Sequence, residues 1–430
     1  MSSRPEHHLT AEDLVRQLRD ARARELELFL DLSGEQLLGP QDHFLEPPIW
    51  ELGHVGWFQE YWLLRHLDGV EPILPRGDSM YDAFNVSYRK RWDHDFPSRD
   101  ETLAYLETVL DRCVARLDGR EPTPEEVHLY QLVAQHEDMH AENLTMIRQT
   151  LGYPRPVLAR QDLTEPEVDA TFECGDVDVF GGTWLLGAPQ DAPFVFDNEK
   201  WAHPVEVEPF LISNVPVTNL EYLRFVEDGG YTRRTWWGKH GWEWRRRAEA
   251  HHPQFWFPDS DDEWCQRCFD RVVPVEPHHP VIHVNWYEAM AWCRWAGRRL
   301  PTEAEWEVAA AGPTSRRYPW GDDPPTPERA NLDGFRLGTV DVRALPEGDS
   351  PFGCRQMIGN VWEWTSSYLE PYPGFVADVY AEYSQPYFGQ KPVLRGGGWT
   401  TRSRLIRNTW RNFFMRHRRN IVAGFRSCPS

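Results

Sequence analysis

From Thr10 to Tyr153 apolar residues recur mostly at intervals of three and four, the spacing that lines one face of a helix. Thr10-Ala-Glu-Asp13 offers an N-cap and an acidic first turn to a helix carrying Leu14, Leu18, Leu26, Phe29 and Leu30. A second helix is predicted from about Pro47 to Leu67, opening on prolines where a missing N–H costs nothing. Ser98-Arg-Asp-Glu101 is a capping box for a third, through Leu103, Tyr105, Leu106, Val109 and Leu110. Thr123-Pro-Glu-Glu126 opens a fourth, closed by Gly152 and Pro154. Four such helices with one long connection predict a four-helix bundle over residues 1–155. Past Arg155 the period fades into short strands broken by Gly and Pro, with isolated helices such as Trp286–Ala296 and Thr302–Ala311. Strand-like runs do not recur evenly enough for a β-sandwich. Residues 156–430 are therefore expected to form one α+β domain with much irregular structure.

Charge and composition narrow the function. The chain has 46 Lys and Arg against 67 Asp and Glu, a net charge of −21, which argues against a nucleic-acid partner held by phosphate neutralisation. No apolar run approaches the ~20 residues that span a bilayer, so no membrane partner is expected. Met1-Ser-Ser-Arg-Pro-Glu-His-His8 has no apolar stretch for a signal peptide, and the expectation is a cytoplasmic protein. The 7 cysteines, an odd number, fit reduced thiols, and Cys265-Gln-Arg-Cys268 has no matching second pair and reads as incidental. The 21 tryptophans suggest a loop-rich fold in which aromatic side chains do the packing.

The sharpest chemical signal is His136-Glu-Asp-Met-His140, whose two imidazoles lie on one helix face and can point at one metal. His54, inside the aromatic segment Trp50-Glu-Leu-Gly-His54-Val-Gly-Trp-Phe-Gln-Glu60, belongs to the same bundle, where an oriented imidazole is costly without a partner. Three His with no Cys nearby suit Zn, Fe or Cu. Glu137 also completes the HExxH pattern of zinc proteases, a reading ranked low because the pair lies in a bundle and no further protease pattern follows.

Further motifs fill the rest of the chain. They are Gly181-Gly-Thr-Trp-Leu-Leu-Gly187, His279-Pro-Val-Ile-His-Val-Asn-Trp286, Tyr318-Pro-Trp-Gly-Asp322, Met357-Ile-Gly-Asn-Val-Trp-Glu-Trp364, Val393-Leu-Arg-Gly-Gly-Gly-Trp399 and Gly424-Phe-Arg426. Over nearly all of 177–430 the chain thereby resembles the formylglycine-generating-enzyme, or sulfatase-modifying-factor, fold, a C-type-lectin-like irregular α/β domain. The N-terminal part resembles a DinB-like bundle, and the fusion is similar to the ergothioneine sulfoxide synthases and their relatives. The resemblance implies that His54, His136 and His140 bind a non-haem Fe(II), with the active site between the two domains. It implies an oxidoreductase that joins the imidazole C2 of hercynine, the trimethylated betaine of histidine, to a chalcogen donor with O2 as oxidant. It further implies a catalytic tyrosine that donates a proton or hydrogen atom, either Tyr380 or Tyr383, with Tyr380 favoured. The segment Trp410-Arg-Asn-Phe-Phe414 supplies aromatic faces for a quaternary ammonium, with Asn412, Phe413 and Phe414 as hercynine-binding residues.

Two departures from the pattern decide the finer reading. Formylglycine-generating enzymes use cysteines shortly before the final Gly-Phe-Arg, and Thr400 to Ala423 contains none. In the sulfoxide synthases γ-glutamylcysteine meets two arginines and an aspartate. Here Tyr88 stands at the first arginine position, Arg91 at the second, and Asn412-Phe413-Phe414 has no carboxylate. The expectation is therefore C–Se bond formation with a selenosugar donor, as in the selenoneine synthases, with Tyr88 and Arg91 at the donor. The alternative is a hercynine sulfoxide synthase using cysteine or γ-glutamylcysteine. A non-catalytic binding module on the same fold is the alternative from another class. Thr401 to Arg426 carries eight Arg and no acid, read preferentially as surface arginines pairing with the acidic remainder rather than as a field that draws in a carboxylate. The Gly-Asn-Val-Trp-Glu-Trp loop can offer carbonyl oxygens to Ca2+ and is not counted as a site.

Overall fold

The computed structural model describes residues 9–430; Met1–His8, on which the signal-peptide reading rests, lie outside the described residues. Among the described residues no helix is long and apolar enough to cross a membrane. The chain divides into two compact units, Met1–Ala159 and Arg160–Ser430, the first helical and the second mixed.

The first unit contains α1 (Ala11–Phe29), α2 (Pro48–Glu60), α3 (Arg99–Arg116) and α4 (Pro124–Leu151). Capping boxes form at Thr10 with Asp13, Ser98 with Glu101 and Thr123 with Glu126, and Gly152 ends α4 in the left-handed region at φ 67°. α2 begins on Pro48 and continues beyond Glu60 as a wider π-helical stretch, Tyr61–His66. Leu30 lies past the end of α1 at 50 % exposure, and Leu28 fills the core position that the periodicity gave to it. The larger departure from apolar periodicity is charge, because Arg22, Arg24 and Glu25 on α1 are buried. Arg22 donates to Glu137 at 2.6 Å, to Gln59 at 2.8 Å and to the Leu106 carbonyl at 3.0 Å.

The second unit centres on a four-stranded sheet of β1 (Trp362–Tyr368), β2 (Pro392–Arg395), β3 (Asn412–Phe413) and β4 (Ala423–Gly424), in the order β3-β2-β1-β4. β2 pairs antiparallel with both β1 and β3, while β4 runs parallel to β1. Helices form at Trp286–Trp295 and Glu303–Ala311 as the sequence predicts. Two more, Asn219–Glu227 and Lys239–Arg247, form where the sequence pattern predicts none, although Thr218 and Glu221 make a capping box for the first. Cys265 and Cys268 lie on the strand Trp264–Cys268, where an odd spacing sends side chains to opposite faces and prevents a shared ligand.

The tryptophans divide by role. Trp306, Trp362, Trp364 and Trp399 are buried, whereas Trp184, Trp286 and Trp320 are half-buried. Gly396 has φ 97°, and a Cβ there would lie 2.5 Å from the Met357 carbonyl oxygen, so the loop after β2 closes onto the Met357 motif only with glycine.

The C-terminal arginines correct the surface reading. Arg407, Arg411 and Arg426 are buried, and each meets a buried carboxylate, on Glu199, Glu303 and Glu363 respectively. Arg402 and Arg419 pair with Asp333 and Glu288. Five of the eight arginines thus meet a carboxylate, which weakens the field that the stretch could present to a substrate carboxylate. Arg426 makes two bonds to Glu363, at 2.7 and 2.8 Å, and Trp306 Nε1 donates to the same carboxylate at 2.8 Å. Breaking a buried pair strands the other charge and costs about 3–5 kcal/mol. Arg426→Met is therefore expected to lower the unfolding midpoint of the C-terminal unit in calorimetry, and the double variant with Glu363→Leu should recover part of the loss.

Candidate metal centre

Every residue of α2 from Pro48 to Glu60 is buried, so its polar side chains face the protein interior and must find partners there. His54 comes from α2, and His136 and His140 come one turn apart from α4. The structure brings these three together, with one ring nitrogen from each within 4.8 Å of the others. Ring centroids lie 5.1 Å apart for His54 and His136, 4.6 Å for His54 and His140, and 4.4 Å for His136 and His140. Burial, then repulsion from His140, holds the His54 and His136 imidazoles well below the usual histidine range and keeps them neutral. Neutral imidazoles with converging nitrogens are metal ligands in the required protonation state.

The outward-facing nitrogens of His54 and His140 are held as metal-bound histidines require. His54 Nδ1 donates to the Tyr81 carbonyl at 2.7 Å, which leaves Nε2 with its lone pair toward the triad. His140 Nδ1 meets Glu51 Oε2 at 2.5 Å. Burial raises Glu51, and the attraction of His140 opposes that rise. Rings close the remaining sides, with Phe58 stacked on His136 at 3.5 Å and Trp50 on His54 at 4.7 Å. The donor set fits a divalent first-row metal and contains no thiolate.

Sequence reasoning missed this support. Its signal was Glu51, an acid one helical turn before His54 in an otherwise apolar segment. Gly53 carried a second signal, since a Cβ there would lie 2.2 Å from the Tyr81 ring, so glycine lets Tyr81 approach and offer its carbonyl to His54. Glu137 is in keeping with the low rank given to the protease pattern. Its carboxylate is buried on Arg22 and thus engaged as a structural anion rather than as a general base.

Arg91 occupies the support of this centre. Asn143 Nδ2 bridges Glu51 at 2.7 Å and Glu46 at 3.0 Å, and Arg91 donates to Glu46 at 2.7 Å. The Arg91 guanidinium lies 3.9 Å from the Trp50 ring and 4.3 Å from the ring of Tyr88, which is 37 % exposed. Its charge is therefore already matched within the bundle.

The other candidate residues lie in the second unit. Tyr383 stacks on Phe196 at 4.3 Å, lies 5.8 Å from Phe413 and 6.1 Å from Tyr380, and its hydroxyl accepts a 3.4 Å bond from Trp410 Nε1. Burial pushes its phenol well up. Phe413 is buried with Leu369 and Val393, Asn412 is half-buried beside it, and Arg418 lies 5.4 Å from the Phe414 ring.

Two family models match the chain, the Sulfatase-modifying factor enzyme 1-like domain over residues 164–429 and the DinB superfamily over residues 17–144. The chain is 40 % identical to a hercynine oxygenase of Mycolicibacterium thermoresistibile, covering 96 % of this chain and 94 % of that one. It is 40 % identical to a hercynine oxygenase of Mycobacterium tuberculosis, covering 96 % and 98 %, and 36 % identical to one of Mycolicibacterium smegmatis, covering 97 % and 99 %.

Removing His136 as His136→Ala is expected to abolish retention of a divalent metal, measured by elemental analysis after anaerobic loading and desalting. Glu51→Ala should weaken metal binding about 10–100-fold, the usual cost of losing such a partner. Gly53→Ala, by displacing Tyr81, should also weaken it, whereas a structure that absorbs the methyl without loss would show the Tyr81 contact to be dispensable.

Proposed function

The chain belongs to the hercynine oxygenase family, and from that premise we propose that it is an iron(II)-dependent oxidoreductase that couples hercynine to a thiol, cysteine or γ-glutamylcysteine, using O2. The observation that carries the reading is the histidine triad with its tautomers set by the Tyr81 carbonyl and Glu51. The relatives' names speak of hercynine and oxygenation and not of selenium. The sulfoxide alternative therefore displaces the selenosugar expectation as the principal reading.

The reaction balances without a further reductant. The imidazole C–H and the thiol S–H are lost, a C–S bond and an S=O bond form, and O2 leaves one oxygen in the sulfoxide and one in water. His54, His136 and His140 would hold the iron. When bound, iron(II) supplies the one-electron chemistry with O2 that no side chain here can perform. Glu51 and the Tyr81 carbonyl orient two of the imidazoles, while Phe58 and Trp50 keep the rings in a dry setting. In the second unit, Phe413 and Phe414 would face the trimethylammonium and Asn412 the polar end of hercynine. Tyr380 would donate the proton, because Tyr383 is committed to packing against Phe196 and Trp410.

A second reading has two observations in its favour. The neutralisation of Arg91 by Glu46, together with the acid-free Asn412-Phe413-Phe414, favours a donor other than γ-glutamylcysteine, the selenosugar included. A single competition experiment tests both readings, supplying iron-loaded protein, hercynine and O2 with cysteine, γ-glutamylcysteine and a selenosugar together. A sulfoxide is expected as the dominant product by mass spectrometry. A dominant C–Se product would replace the principal reading with the second, and unconsumed hercynine would overturn both. Tyr380→Phe is expected to lower kcat by about 10²–10⁴ with little change in KM, whereas an equal loss in Tyr383→Phe alone would transfer the role.

A further inference from the structure

Phe413, one of the rings to which the sequence assigns a quaternary ammonium, already faces a cation together with Tyr387. Lys391 immediately precedes β2, and its carbonyl accepts the Leu369 N–H at 2.8 Å, which fixes the backbone while the four-carbon stem stays rotatable. Its Nζ lies 3.4 Å from the Tyr387 ring centroid and 5.2 Å from that of Phe413. Tyr383 and Phe388 pack against the same cluster. The neighbouring charge that acts on Lys391 is a second cation, Arg418, and not a carboxylate. This sets Lys391 apart from Arg407, Arg411 and Arg426, each seated on a glutamate. An ammonium held by ring faces is how aromatic boxes bind organic cations, and here the chain supplies its own.

We propose that Lys391 is a tethered cation that fills the aromatic box of Tyr387 and Phe413 and yields it to a betaine or other small organic cation. The inference deepens the hercynine reading, on which the identity of the betaine rests. Lysine and ligand compete for the same ring faces, so the apparent affinity for a ligand cation falls with the fraction of molecules in which Lys391 holds the box.

Burial, reinforced by Arg418, brings Lys391 down to about 7. Below that pH the lysine is charged and held by the rings. Above it the amine is neutral, the cation–π attraction is lost, and the rings are released. Affinity for an organic cation therefore rises with pH through about 7. The other titratable groups on the surrounding elements include Tyr368 at the end of β1, Glu370 after it, Asp378, Tyr380, Glu382, Tyr383 and Tyr387 before β2, and Arg416, His417 and Arg418 after β3. All of them persist in a Lys391 variant, which makes the variant the control for their titration.

The test is calorimetric titration of the full chain with tetramethylammonium, a probe that needs no turnover. Affinity of the unaltered protein should rise by up to about tenfold per pH unit, the limit for one linked proton, and level off above pH 7. Lys391→Met should bind about tenfold tighter than the unaltered protein at about pH 6 and lose that slope. Lys391→Arg, whose charge does not titrate in this range, should bind more weakly throughout, and it carries the test if methionine unsettles the fold. Unchanged affinity and slope in these variants, or no binding of tetramethylammonium to any of the proteins, would overturn the proposal. If the competition holds while hercynine is not consumed, the hercynine reading fails and the role of Lys391 stands.

Discussion

The guanidinium of Arg22, on α1, donates to Gln59 on α2, to the Leu106 carbonyl on α3 and to Glu137 on α4, so one buried cation meets all four helices of the bundle. Apolar burial alone fixes helices loosely in rotation and height, because one methyl-lined face slides on another at small cost. A fork of directed donors does not allow that freedom. Glu137 adjoins His136 in sequence, so the contact that aligns α4 against α1 also sets the height at which the α4 imidazoles meet His54. A buried pair of this kind is weak evidence for stability; its use here is register, which the metal centre needs more than it needs added stability.

The second unit meets the same demand with short strands and long loops. Regular ladders are too brief to satisfy the interior, and buried arginines take over. Arg411 reaches from Glu303 to the Asn198 and Glu370 carbonyls, and Arg426 from Glu363 to the Ser213 and Arg355 carbonyls. Each joins segments distant in sequence and satisfies backbone oxygens that no strand could reach. Composition shows this poorly, because a run of eight arginines without an acid looks exposed until its partners, scattered from Glu199 to Glu363, are brought up by the fold.

What the sequence revealed follows the range of the interactions. The bundle helices were legible because caps such as Ser98 with Glu101 act over three residues, and the α4 histidine pair because one helical turn aligns it. His54 was legible as a polar group in an aromatic helix. The partners Glu46, Glu51 and Asn143 were not, since their meeting depends on how α2, the segment just before it and α4 come together. Arg91 looked like a ligand-binding residue for the same reason: the motif gave its position but not Glu46, which occupies it. The helix at Asn219–Glu227 was overlooked although its cap was in view, because its apolar face spans barely two turns.

The run of contacts from His140 through Glu51, Asn143 and Glu46 to Arg91 ends at the turn that also carries Tyr88. Anything that draws Arg91 away from Glu46 leaves a buried carboxylate uncompensated beside Glu51, and the change is passed to the His140 ring that Glu51 holds. The dependence is reciprocal, so a change at the triad is also felt at the turn. A replacement at Arg91 is therefore not confined to its turn: through Glu46, Asn143 and Glu51 it reaches the ring of His140, some fifty residues further along the chain.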